Sequence, residues 1–213
     1  MEFLKEARLG LLFLKFVKDP TDTKLIFKMS ELGRSLRQNQ TMISDLEAEV
    51  QKHLPFHQAW IEKWTPDLPD MEDLEKMPEG TLGHAYAQHL LKNNLKLNFY
   101  PQTNSERFVD YISCRLYISH DLWHVLLGYE VSPQGESEVQ AFTLAQINSP
   151  TSVMLIAAGL LNLLKHNPAS TPRIFSKCVD AYQRGKSAEF LLNYRFESLL
   201  TEPLEKIRSM IKV

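Results

Sequence analysis

His120-Asp121-Leu122-Trp123-His124 occupies the last two turns of the longest stretch of the chain that reads as continuous helix, Asn104 to Gly128. Side chains four apart on an α-helix stand one above the other, so His120 and His124 are predicted to aim their rings at one point beside the helix. Asp121 is rotated by about 100° from His120 around that helix. It reaches the same point only from the flank, as a ligand, a base or a partner of the ligands. Gly128-Tyr129-Glu130-Val131-Ser132-Pro133 follows, and its glycine and proline end one helix and begin another. The chain therefore folds back, and Glu136, twelve residues after His124, closes the group from the next helix. A histidine pair flanked by Val109, Leu116 and Leu127 is explained by packing alone. The adjoining Asp121 and the later Glu136 turn it into a predicted divalent-metal site, because buried charges without a partner are costly. The pattern differs from the H-E-x-x-H zincin helix in its Asp at the second position and in lacking a third histidine nearby.

Outward from this motif the periodicity is helical almost everywhere. Phe3 to Val17 carries a wide apolar face among Lys5, Arg8 and Lys15 and stops at Asp19-Pro20; that face either packs on the domain or rests on a membrane surface. Thr23 to Arg37 and Thr41 to His53 read as further helices, the second with a Ser44/Glu47 capping box. Trp64 to Pro78 reads as a loop with at most a short helical turn, and Pro78 to Asn93 as helix. Glu136 to Ile147 forms the next helix. Val153 to Leu164 is apolar around most of its circumference and is expected to be a central buried helix or one wall of a greasy cavity. Pro172 to Arg184, Ala188 to Tyr194 and Pro203 to Ile211 complete an all-α reading: one compact helical domain over residues 1–213, with a long central helix carrying the metal motif. Within it, residues 1–64 supply amino-terminal helices and residues 78–213 the core.

Composition excludes several function classes. With 213 residues the chain is long enough to bury a substantial core. A formal net charge of -2 and no basic cluster give no attraction to nucleic acid. Cys114 and Cys178 stand far apart and outside any Cys-x-x-Cys spacing, which argues against both a disulfide framework and a thiolate site, and for a reducing compartment. Met1-Glu2-Phe3 opens no signal peptide, and Val153 to Leu164 falls short of the roughly 18 apolar residues a spanning helix needs. The expected location is cytoplasmic, with peripheral attachment at a membrane surface as an option.

Other residues carry weaker signals. Pro55 between His53 and His57 is expected to prevent a regular helix through both, leaving them on the surface or in a loop. His84, His89 and His166 have no partner at ligand spacing. Neither a phosphate-cradling glycine loop nor a nucleophile elbow is present. Tyr86, Phe99, Tyr100, Tyr194 and Phe196 are core aromatics by default, and some could line an apolar cavity. Arg195 beside Glu197, with Arg184 ahead of them, either holds a polar or phosphorylated head group or makes surface salt bridges.

The spacing His120-Asp121-x-x-His124-x(11)-Glu136 is similar, without a gap, to the signature of the Coq4 family of ubiquinone-biosynthesis proteins. Pro78-Glu79-Gly80-Thr81-Leu82-Gly83-His84-Ala85-Tyr86, Gln140-Ala141-Phe142-Thr143-Leu144-Ala145-Gln146, and Tyr194-Arg195-Phe196-Glu197 with Pro203-Leu204 and Arg208 also look like that family. The resemblance runs from Pro78 to the carboxyl terminus and is weaker before it. It implies a polyprenylated benzenoid substrate on the way to a respiratory quinone, oxidative decarboxylation at ring carbon C1, and a zinc ion held by His120, Asp121, His124 and Glu136. It also implies Asp121 in the chemistry, Tyr86, Tyr194 and Arg195 beside the substrate, other quinone-biosynthesis enzymes as partners, and a homodimer.

From the residues themselves the ion stays open among zinc, iron, manganese, cobalt and magnesium. Two histidines and one carboxylate leave open positions of the kind non-haem iron oxygenases use, whereas four protein ligands around zinc suit a closed site or hydrolysis. Two rivals to the enzyme of quinone biosynthesis therefore stand: a non-catalytic isoprenoid-binding scaffold, and a metal-dependent hydrolase, which the greasy surroundings of the motif disfavour.

Overall fold

Helix boundaries in the computed structural model, which describes residues 2–36, 39–97 and 106–213, follow caps that the sequence supplies. Asp22, Thr81, Ser132 and Ser149 each accept a hydrogen bond from a backbone N–H of the first turn that follows. Gly128 and Asn148 end their helices in the left-handed region. Among the described residues all regular structure is helical, apart from one isolated antiparallel bridge between Thr81 and Pro203. The all-α expectation holds.

The helices are α1 (Glu2–Lys18), α2 (Thr23–Arg34), α3 (Gln40–Gln51), α4 (Leu54–Ile61), α5 (Met71–Glu75), α6 (Leu82–Lys92), α7 (Phe108–Leu127), α8 (Pro133–Ile147), α9 (Pro150–His166), α10 (Thr171–Ser187) and α11 (Leu204–Ile211). They fall into two compact units, residues 1–48 with 132–186 and residues 49–131 with 187–213.

In the first unit α9 packs on α8 and α1, and α1 on α2. Phe16, Leu25, Met29 and Ala158 form a buried cluster there, with Leu12, Phe13 and Leu155 against it. Asn162 anchors α9 to the end of α1 by donating to the Val17 carbonyl at 2.8 Å. At Gly185 a Cβ would stand 2.8 Å from both the Phe142 carbonyl oxygen and the Ala145 side chain, so only glycine permits this approach of α10 to α8.

In the second unit α7 is the axis: fifteen of its twenty residues are buried, so the helix expected to be central is central to its unit. It packs against α6 and α11. Arg208 of α11 donates to the carbonyls of Val125 and Leu126 at 2.9 and 3.0 Å, satisfying acceptors that the end of α7 leaves open. The start of α6 is tied to the carboxyl-terminal segment, since Leu82 and Gly83 donate to the Glu202 and Leu200 carbonyls and Leu204 donates to Gly80. That lattice explains why Pro78 to Tyr86 and Pro203-Leu204, far apart in sequence, carry motifs together.

Two expectations fail, and a third holds only in part. No regular helix runs through both His53 and His57, because His53 is the cap before α4; Pro55 occupies the first turn of α4, where its missing N–H costs nothing, and His57 donates to the His53 carbonyl at 3.0 Å. His53 stacks on Phe190 with centroids 3.6 Å apart. His57 packs on Trp60 and Phe108, so both are part of an aromatic cluster around Phe56. Ala188 to Tyr194 is not an α-helix but extended chain with one 3-10 turn at Leu191–Asn193. Val153 to Leu164 is helical within α9 but not buried: of that helix only Ser152 and Ala158 are buried, and Val153, Leu161 and Leu164 remain about half exposed. One stripe of α9 meets α1 and α8, and its apolar composition continues beyond that stripe. Phe99, Tyr100, the predicted helix start at Asn104 and the predicted helix end at Arg37 lie outside the described residues.

Candidate metal centre

The carboxyl-terminal turns of α7 bring the Nε2 atoms of His120 and His124 to 3.2 Å from each other. His124 is buried, and its Nδ1 lies 3.0 Å from the Tyr129 carbonyl oxygen. A carbonyl only accepts, so Nδ1 carries the proton and Nε2 of the neutral ring turns its lone pair toward His120. The helix terminus produces this arrangement. Gly128, at φ 72°, reverses the chain, and the N–H groups of Gly128 and Tyr129 both donate to the His124 carbonyl, which returns the Tyr129 carbonyl to the His124 ring.

Glu136 lies in the first turn of α8, after the Ser132 cap and Pro133, where the helix dipole favours a carboxylate. His120, His124 and Glu136 each offer one ligand atom for a metal ion. The donors fit a divalent cation. Imidazole nitrogens bound to one tetrahedral ion at ~2.0–2.1 Å stand about 3.3 Å apart, close to the separation seen here. The backbone hydrogen bond to His124 Nδ1 is the kind of support that fixes a ligand's tautomer and orientation.

Asp121 is buried beside the pair, outside the group formed by His120, His124 and Glu136. Its charge is felt by Tyr86 on α6: burial first, then the carboxylates of Asp121 and Glu197, push the Tyr86 phenol well above its ordinary range. Tyr86, predicted from its motif, thus neighbours the centre through Asp121. Tyr194 instead stacks on Phe196 at 5.6 Å. Arg195 pairs with Glu62 at 2.5 Å and lies 5.0 Å over the Trp64 ring.

Several residues escaped the sequence. Glu197 makes no surface salt bridge: it is buried and accepts from both terminal nitrogens of buried Arg115, at 2.7 and 3.2 Å. Arg115 also lies 4.5 Å from the centre of the Trp64 ring. The available signal was an arginine on an otherwise apolar face of α7, five residues before His120. His89 of α6 stacks on His124, with centroids 5.6 Å apart and planes 26° from parallel. No spacing rule within one helix finds that contact, because it depends on how α6 meets α7.

A family model described as coenzyme Q (ubiquinone) biosynthesis protein Coq4 matches residues 15–213. The mitochondrial ubiquinone biosynthesis protein COQ4 homolog of Rattus norvegicus is 30% identical over 151 residues, covering 68% of this chain and 54% of the rat protein. The mitochondrial ubiquinone biosynthesis protein COQ4 of Lachancea thermotolerans is 29% identical over 156 residues, covering 70% of this chain and 46% of the yeast protein. This chain spans about half the length of these curated relatives. A crystal structure of a Nostoc punctiforme protein assigned to ubiquinone biosynthesis superposes with a TM-score of 0.82 at 24% identity, covering 97% of both chains, and shares the fold. With the family model extending over nearly the whole sequence, including every residue of the metal motif, the chain belongs to the Coq4 family.

Proposed function

We propose that this protein carries out a metal-dependent step in the biosynthesis of ubiquinone or a related quinone, acting on a polyprenylated benzenoid acid by oxidative decarboxylation at ring carbon C1, in which dioxygen takes up the two electrons, the carboxyl group leaves as carbon dioxide and a hydroxyl group takes its place. The observation that carries the proposal is the pair of His120 and His124, with Nε2 atoms 3.2 Å apart, together with the Tyr129 carbonyl that holds His124 in its ligand tautomer. A divalent ion held there would stabilise negative charge that develops as carbon dioxide leaves and, if iron, would add redox capacity. His120, His124 and Glu136 would hold it. Asp121, buried and adjacent to His120 in sequence, would act as a further ligand or as a base. Tyr86 stays a neutral phenol at working pH and can donate a hydrogen bond to a substrate oxygen.

Support for a lipid substrate comes from the first unit. Leu4, Leu11 and Leu14 of α1 and Val153, Leu161 and Leu164 of α9 leave apolar side chains exposed. Such surface suits an isoprenoid tail, a bilayer interface or a second copy of the chain. No helix among the described residues is long and apolar enough to cross a membrane, so peripheral attachment is the form of membrane contact proposed. The same exposed surface favours the second reading, a scaffold that holds prenylated intermediates for other quinone-biosynthesis enzymes.

Purified protein loaded in turn with iron, zinc, manganese, cobalt and magnesium, and given a prenylated benzenoid carboxylic acid together with dioxygen, should release carbon dioxide with at least one metal. His120→Ala and Asp121→Asn should abolish release. Lipid that co-purifies without turnover under every metal would sink the enzyme and leave the scaffold.

A further inference from the structure

His120 and His124 are held by different means. The proton on His124 Nδ1 is fixed by the Tyr129 carbonyl at 3.0 Å, which sets the tautomer but leaves the ring free to rock about that bond. The remaining freedom is limited from a separate helix. His89 of α6 lies with its centroid 5.6 Å from that of His124 and its plane only 26° away, so the two rings run nearly parallel and offset from one another. His120 meets His124 edge to face instead, at 83° and 4.8 Å. The same α6 turn carries Tyr86, three residues earlier, toward Asp121, so α6 supplies the wall against which the motif of α7 is set.

We propose that His89 is a positioning residue of the metal centre: its ring, stacked on His124, keeps the His124 Nε2 aimed at the point shared with His120. This rests on the metal-binding reading given above. An imidazole that must meet an ion within a few tenths of an ångström gains from a flat aromatic neighbour, because rocking out of plane then meets a packed ring rather than a gap. The role belongs to the aromatic face of His89 and not to its nitrogens.

Cobalt(II) titration of the metal-free full chain tests this, read by the visible ligand-field band, which reports coordination geometry, and by calorimetry. His89→Phe keeps a ring and should bind cobalt within about threefold of wild type with the same band. His89→Leu keeps the bulk without the flat face and should bind about 10- to 100-fold more weakly with a shifted band, the range lost when supporting groups around ligands are removed. Should His89→Leu fail to fold, as read by far-ultraviolet circular dichroism, His89→Met takes its place with the same expectation. Wild-type affinity and spectrum in the Leu or Met variant overturn the proposal while leaving the metal centre intact. Equal weakening in the Phe variant also overturns it, by assigning the effect to a nitrogen. A wild-type chain that binds no cobalt overturns the positioning role and the metal-binding reading together.

Discussion

α7 and α9 are the two long apolar helices that flank α8 in sequence, and they are used in opposite ways. α7 contains Asp110, Arg115, His120, Asp121 and His124, yet fifteen of its twenty residues are buried. α9 contains no acid and one lysine in its seventeen residues, yet only Ser152 and Ala158 are buried. Burial therefore does not follow composition. Each is met by two other helices, α7 by α6 and α11 and α9 by α8 and α1, and the difference is that α7 buries its charged groups against polar partners whereas α9 is met along one stripe. A helix that buries charge can do so only by satisfying it, as Glu197 does for Arg115 and Tyr129 for His124.

The contrast can be broken by substitution. The largest loss is expected for Glu197→Ala, which leaves the Arg115 guanidinium buried and unpaired, at about 3–5 kcal/mol. Urea denaturation should show it, and Arg115→Met combined with Glu197→Leu should recover most of the loss; an additive double mutant would mean that the pair is not a unit. Leu122→Ala in α7 removes a fully buried side chain and should cost about 2–5 kcal/mol. Gly185→Ala forces a Cβ against the Phe142 backbone, a strain of about 1–3 kcal/mol that should appear as a lowered melting temperature. Leu161→Ala in α9, at a side chain 45% exposed, should cost under about 1 kcal/mol. Equal losses for Leu122→Ala and Leu161→Ala would show that α9 is covered in solution, by a second copy or by lipid.

Much of this architecture was legible in the sequence where local rules suffice. The apolar faces, the caps and the glycine after His124 located most helices within a few residues, and the helical spacing of four brought His120 and His124 together. Pro55 was legible as the reason no regular helix runs through His53 and His57, but not as a first-turn residue opening α4, because the first turn tolerates what the interior does not. α9 misled because apolar character around a whole helix states a capacity for burial, not its use. His89, Arg115 and Glu197 were beyond local rules altogether: their partners lie 35 or 82 residues away, and only the packing of α6 and of the carboxyl-terminal segment on α7 brings them together.

The central claim is that His120, His124 and Glu136 bind one divalent ion, and the metal content of dialysed protein tests it most directly. Wild-type chain equilibrated with zinc, and separately with iron(II) under anaerobic conditions, should retain a single ion per chain after dialysis. His120→Ala, His124→Ala and Glu136→Ala should each retain almost none while keeping wild-type helical content. Retention in all three variants equal to wild type, or no retention by wild type with any divalent metal, would contradict the account.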